Sequence, residues 1–268
     1  MKRKLLSITL ALSLLPTFSY AESKSYEAQE KKQLSQQELR VLTDEVGFTK
    51  EDFEAVPVEV ARDLIEQKAR KISNGVVQSY TMEKNDQPST VIAPMSFDAA
   101  DINLYGNAYL TQGTDKPGFK RILMVASFQW QSQPRYKYTD KMSIGYPSTN
   151  KFIFNTSNGK IQGHTNRSYF YFEDNLLNFE SNTPTDADPG AGVAADYYYH
   201  PFAEKLNGSI IQYVYVPDNQ SGTSNVCIRY GHKYLTLGSP SVSIYPYGLS
   251  VTPSTTVQTA DYILTLTW

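Results

Sequence analysis

The sequence predicts a mainly β protein, an antiparallel β-sandwich of Greek-key or jelly-roll-like wiring preceded by a small α-helical head. Three observations carry this expectation. Charge is dense before residue 73, where residues 22–72 hold 12 acidic and 9 basic side chains among 51, against 15 and 13 among the 196 that follow. Tyrosine is distributed the other way, with 18 of 20 beyond residue 73. The apolar period also changes near Gly75, from the 3.6 of helices to the 2 of strands. With 19% charged and 13% aromatic residues, the chain is too aromatic to be disordered throughout and too polar for an integral helical membrane protein.

Residues 1–21 read as an export signal. Lys2, Arg3 and Lys4 precede an apolar run over residues 5–15, and Ser19 and Ala21 place small residues two apart for a cut before Glu22. The run is too short to span a bilayer, and no cysteine near the cut marks a lipoprotein, so the expected location is secreted or extracellular. Loss of the three basic residues moves the formal charge from −2 to −5. Such an acidic protein is not expected to bind nucleic acid. Residues 22–34, nearly all polar, are expected to form a flexible tether.

Residues 35–72 form the helical segment. Ser35 with Glu38, and Thr49 with Asp52, have capping-box spacing. Leu39, Val41 and Leu42 follow the first, ended by Gly47, and Phe53 and Val56 follow the second. Pro57 opens a third piece as its first-turn residue, with Val60, Leu64 and Ile65 on one face and Lys68, Arg70 and Lys71 at the negative end of the dipole. About 40 residues bury too little surface to be stable alone, so this head is expected to lean on the larger part or to serve as a partner-docking module.

Residues 73–268 read as the sandwich. In residues 121–131, Ile122, Met124, Ala126, Phe128 and Trp130 share one face, while the other begins apolar at Leu123 and Val125 and turns polar, the pattern of a strand leaving a core. Residues 151–156 and 160–162 flank Asn158-Gly159, a dipeptide suited to the positive φ of a tight hairpin. Residues 168–172, 209–216, 225–230, 241–245 and 262–268 add extended segments, with prolines between them. The sole cysteine, Cys227, lies in a strand pattern and is expected to be buried.

Catalytic patterns are scarce, so enzymatic activity is not the leading expectation. The three histidines lack metal spacing, and no nucleophile elbow or phosphate-cradling glycine motif occurs. Glu173, Asp174 and Glu180, with His164 upstream, are the candidates for a carboxylate-dependent glycoside hydrolase. No cofactor is expected, apart from calcium, for which Asp186, Asp188 and Asp196 around a glycine-containing loop are the candidate ligands. The consecutive rings of Tyr197, Tyr198, Tyr199 and His200, with Tyr245 and Tyr247, are the candidate ligand-binding residues, suited to stacking on sugar or meeting a protein.

The spacing of Trp130, Pro134 and Asp140 in a polar-aromatic strand, with a helical head over residues 48–64 behind a signal, resembles uncharacterised secreted β-rich proteins of Gram-positive bacteria. The resemblance implies export and a β-rich body; it implies no reaction and brings no functional residues. The resulting expectation is a secreted, non-enzymatic binding protein whose partner is a cell-wall glycan or an envelope protein. The alternatives are the hydrolase and a membrane-active β-pore former, the latter suggested by the Ser/Thr-rich alternation of residues 239–267.

Overall fold

The computed structural model describes residues 34–81, 101–134, 136–172, 175–233, 240–245, 248–252, 254 and 257–268, with the backbone alone for 75–81, 172 and 175. The expected signal, the tether up to residue 33, Glu173, Asp174 and Tyr247 lie outside these residues.

Three short helices come first: α1 (Gln36–Val41), which runs into a π turn over Leu42–Val46, then α2 (Lys50–Ala55) and α3 (Val58–Glu66). Both capping boxes form. Ser35 N–H donates to Glu38 at 2.6 Å and Glu38 N–H donates back to Ser35 Oγ at 3.2 Å, while Thr49 N–H donates to Asp52 at 2.5 Å. Gly47, at φ 89°, takes the left-handed conformation that ends the turn. Pro57 stands at the N-cap of α3, one place before the first turn. Lys68, at φ 46°, breaks the chain away after α3, so Arg70 and Lys71 form a strand instead of completing a helix.

The strands are β1 (Arg70–Lys71), β2 (Ser73–Thr81), β3 (Ile102–Thr111), β4 (Phe119–Trp130), β5 (Asp140–Gly145), β6 (Thr156–Ser157), β7 (Lys160–Ile161) and β8 (His164–Phe172). They continue with β9 (Asn175–Ser181), β10 (Asp186–Asp188), β11 (Gly192–Tyr197), β12 (Glu204–Pro217), β13 (Thr223–Lys233), β14 (Val242–Tyr245), β15 (Gly248–Val251) and β16 (Val257–Thr267). Two six-stranded sheets result, ordered β1-β3-β4-β12-β8-β9 and β10-β11-β5-β13-β16-β2. Every pairing in them is antiparallel. The chain is therefore mainly β, with a small helical segment ahead of the sheets, as its periodicity predicts.

Alternation decides what each sheet face meets. Ile122, Met124, Ala126, Phe128 and Trp130 of β4 join Ile210 and Val214 of β12, and Ile144, Ile228, Tyr262 and Leu264 of the facing sheet, in one buried core. Leu123 and Val125 point the other way, and the helical head covers them. With Tyr109 and Ile211 they form a second core against Leu42, Val46, Phe48, Val56, Val60 and Leu64. The apolar start of that outer face thus marks the footprint of the head, not a strand leaving the interior. A short hairpin, β14–β15, lies over the outer face of the other sheet and packs Leu249 on Ala191 and Ala194.

The Asn158-Gly159 turn forms with φ of 52° and 73°, but its strands β6 and β7 are only two residues each. Residues 151–155 are drawn elsewhere: Phe152 and Phe154 enter the main core, and Ile153 exchanges backbone hydrogen bonds with Tyr215 at 2.9 and 3.0 Å. Burying two phenylalanines outweighs extending the hairpin.

Candidate functional site

β4, β8, β11 and β13 finish at the same end of the sandwich at which β5, β9 and β12 begin, as the pairings Gln129 with Asn207, Tyr171 with Glu204 and Asp140 with Tyr197 require. The loop residues 131–134 and 136–139 meet the loop over residues 198–203 there. Beneath them lies a buried polar floor. Asp140 accepts a hydrogen bond from the Tyr230 hydroxyl at 2.5 Å and one from Lys233 N–H at 2.9 Å, and His232 Nδ1 lies 3.0 Å from it. Trp130 Nε1 donates to the Tyr230 hydroxyl at 3.0 Å, and the Trp130 and His232 rings meet edge-on at 4.9 Å. Burial pushes the hydroxyl pKa values of Tyr199 and Tyr230 well above the usual tyrosine range, with the neighbouring Asp140 charge adding to it. Both phenols stay protonated and serve as fixed hydrogen-bonding groups. Gly208 leaves room for the perpendicular Phe128 and Tyr197 rings, 4.9 Å apart; a Cβ there would lie 2.4 Å from Phe128 and 2.6 Å from Tyr197.

Above this floor the two loops are tied together, because Lys137 Nζ donates to the Ala203 carbonyl at 2.7 Å. Gln133, Pro134, Tyr136, Lys137, Tyr138 and Pro201 line an open concavity of about 480 Å³. Tyr136 and Tyr138 stack with planes 9° apart and centroids at 6.2 Å, and Lys233 Nζ sits 5.7 Å from the Tyr138 ring centre. In the loop that contributes Pro201 to the lining, Tyr198 is 67% exposed and Phe202 72%. These large rings meet water above a buried floor, an arrangement able to stack on an apolar ligand face while Gln133 and Lys137 provide polar contacts. Among the described lining residues there is no carboxylate and no nucleophile paired with a base. Asp140 and His232 lie below, buried among rings.

The run 197–200 divides as a strand end must. Tyr197 and Tyr199 turn into the core, while Tyr198 and His200 remain exposed. Tyr245 is elsewhere, half-buried on β14, its ring centre 5.9 Å from the Arg229 guanidinium. Sequence reasoning did not single out Tyr136, Tyr138, Lys137 or Phe202; the alternation of aromatic and basic residues at 136–138 just after Pro134 was the available signal.

Two of the aspartates considered for calcium flank a lysine. Lys141 Nζ lies 2.5 Å from Asp186 and 2.6 Å from Asp196, with Thr185 Oγ1 at 3.1 Å. Asp188 faces its own loop and accepts Gly190 N–H at 2.8 Å. Among the described residues no group of three or more His, Cys, Asp or Glu side chains is arranged to hold a metal ion. Of the hydrolase candidates, Glu180 accepts from Arg167 Nε at 2.8 Å. His164 is buried with Nδ1 3.0 Å from Gln212 Oε1, and burial lowers its pKa. The structure does not bring these two together, since β9 pairs Glu180 with Arg167, three residues along β8 from His164.

Fold and site together define a β-sandwich with a helical head on one face and an aromatic loop surface at one end. No family model matches the chain and no curated protein matches it. Among solved structures it is similar to Clostridium perfringens delta-toxin, at 7% identity and a TM-score of 0.33, over 73% of this chain and 89% of that one. Among the described residues no helix is long and apolar enough to cross a membrane.

Proposed function

We propose that the protein is a secreted, non-enzymatic binding module that holds a glycan of the cell envelope at the aromatic end of the sandwich. The observation that carries this reading is the open concavity of Tyr136, Tyr138, Pro134 and Pro201, with exposed Tyr198 and Phe202 in the same loop as Pro201, set on a buried hydrogen-bonded floor. Tyr136 and Tyr138, stacked on each other, have less rotamer freedom to lose on binding. Aromatic faces suit the apolar faces of sugar rings, and the amide of Gln133 and the ammonium of Lys137 suit hydroxyl groups.

Retention of the mature protein on purified cell wall and on a panel of polysaccharides tests this. Tyr136→Ala and Tyr198→Ala are each expected to weaken retention about tenfold, about 1.4 kcal/mol, with the far-ultraviolet spectrum unchanged. Loss of neither would overturn the assignment to this surface.

The pore-forming alternative draws on the alternation of residues 239–267. Its longest strand is β16, eleven residues paired on both sides by β13 and β2, and the alternation there serves the main core. β14 and β15, which lie outside the two large sheets, have four residues each, short of the nine to eleven or so of a membrane-crossing strand. Dye release from liposomes by the mature protein would favour the alternative.

A further inference from the structure

Sheets expose unpaired N–H and C=O groups along their outer strands, and proteins usually blunt such edges by shortening them or by placing lysine or proline there. Of the four outer strands, β1 has two residues and β10 three, whereas β2 has nine and β9 seven. On β9 the exposed side chains are described as well as the backbone. This strand closes the first sheet with seven residues, Asn175–Ser181, carrying no lysine and no proline, and residues 176–181 are exposed. Its one charged side chain, Glu180, is already held by Arg167 at 2.8 Å.

Its apolar residues are not scattered. Phe170 pairs with Leu177 and Ser168 with Phe179, so Leu177 and Phe179 lie on the face that carries Phe170 into the core. The Phe179 ring stacks on Phe170 at 5.6 Å and 19°, yet Phe179 remains 50% exposed and Leu177 36%. The inner face of this sheet therefore continues onto β9 past the cover supplied by the other sheet.

We infer that β9 pairs antiparallel with β9 of a second copy of this chain about a twofold axis at Asn178. The sequence of the strand selects this occupant, because in that register it is complementary to itself. Leu177 faces the partner's Phe179 and Phe179 faces the partner's Leu177, giving two apolar cross-strand pairs on the half-covered face. Asn178 meets the partner's Asn178. Glu180 faces the partner's Leu176, so the two carboxylates do not oppose each other. The backbone groups of β9 that point away from β8 gain partners, and the β9-bearing sheets of the two copies become one continuous sheet. The contact is isologous and closes at two subunits.

Light scattering on the mature chain across a concentration series is expected to show mass rising towards that of a dimer, and Phe179→Lys is expected to return it to the monomer at every concentration. A second measurement covers the case of a misfolded variant. Asn178→Cys places two thiols opposite each other, while Cys227 is buried; a short bismaleimide is expected to trap a covalent dimer, and a cysteine at Phe202 to trap none. A monomer at all concentrations, or a dimer that survives Phe179→Lys and is not trapped through position 178, would overturn the inference.

Discussion

Asp52 shows how much one side chain can organise. It is fully buried and collects Thr49 N–H at 2.5 Å, Lys71 Nζ at 2.8 Å, Asn107 Nδ2 at 2.6 Å, the Tyr109 hydroxyl at 2.8 Å and the Tyr105 hydroxyl. Burial works against its charge, but the Lys71 ammonium, the Thr49 N–H and the tyrosine hydroxyls outweigh it and hold the carboxyl below the usual carboxylate range. Asp52→Asn would leave Lys71 facing a neutral amide, and a loss of about 3 kcal/mol is expected in urea unfolding. The pH dependence has a definite sign. A carboxyl depressed in the folded state stabilises fully above its unfolded pKa, about 4, and that contribution disappears as pH falls through the lower folded value. Wild-type stability is therefore expected to drop in acid more steeply than that of Asp52→Asn. Part of this was legible, since the Thr49 and Asp52 spacing announces a helix start. The rest was not: Tyr105, Asn107 and Tyr109 arrive from β3, more than fifty residues later, by a contact that no local pattern encodes.

At the scale of elements, the helical head is held by its apolar side on the outer face of β3, β4 and β12. α3 buries Val60, Ala61 and Leu64, and Leu64 meets a surface shared with Leu42, Leu123 and Val125. Leu64→Ala should leave a cavity and cost roughly 2–5 kcal/mol, read as a lower thermal midpoint together with faster proteolysis within residues 36–66. Periodicity located the helices and most long strands because burial on one side imposes it. It could not place β1, which starts where a helix was expected to continue, because Lys68 reverses the chain and Arg70 and Lys71 find β3. Nor could it foresee that residues 151–155 would leave their hairpin for the core, since Phe152 and Phe154 suit either setting and only the facing sheet decides between them.

For the whole molecule, the wiring of the two sheets decides which loops become neighbours. Residues 136–139 and 198–203 are about sixty positions apart in sequence, and they meet because β4 and β12 are paired along eleven residues of each strand. The tyrosine run at 197–199 was legible as unusual, and alternation correctly implied a split between faces. Tyr136 and Tyr138 offered only a three-residue alternation around Lys137, too short to mark an element, and Phe202, a single ring in a loop, carries no periodic signal. One ring within this arrangement has a practical consequence. The chain contains two tryptophans. Trp130 lies in the floor beneath the concavity, whereas Trp268 packs on Phe152 near Gly222, at the opposite tip of β16. Occupancy above Trp130 should alter the emission of that indole while its distant counterpart stays constant, so that intrinsic fluorescence can follow ligand capture without a label. Trp130→Phe should silence the response.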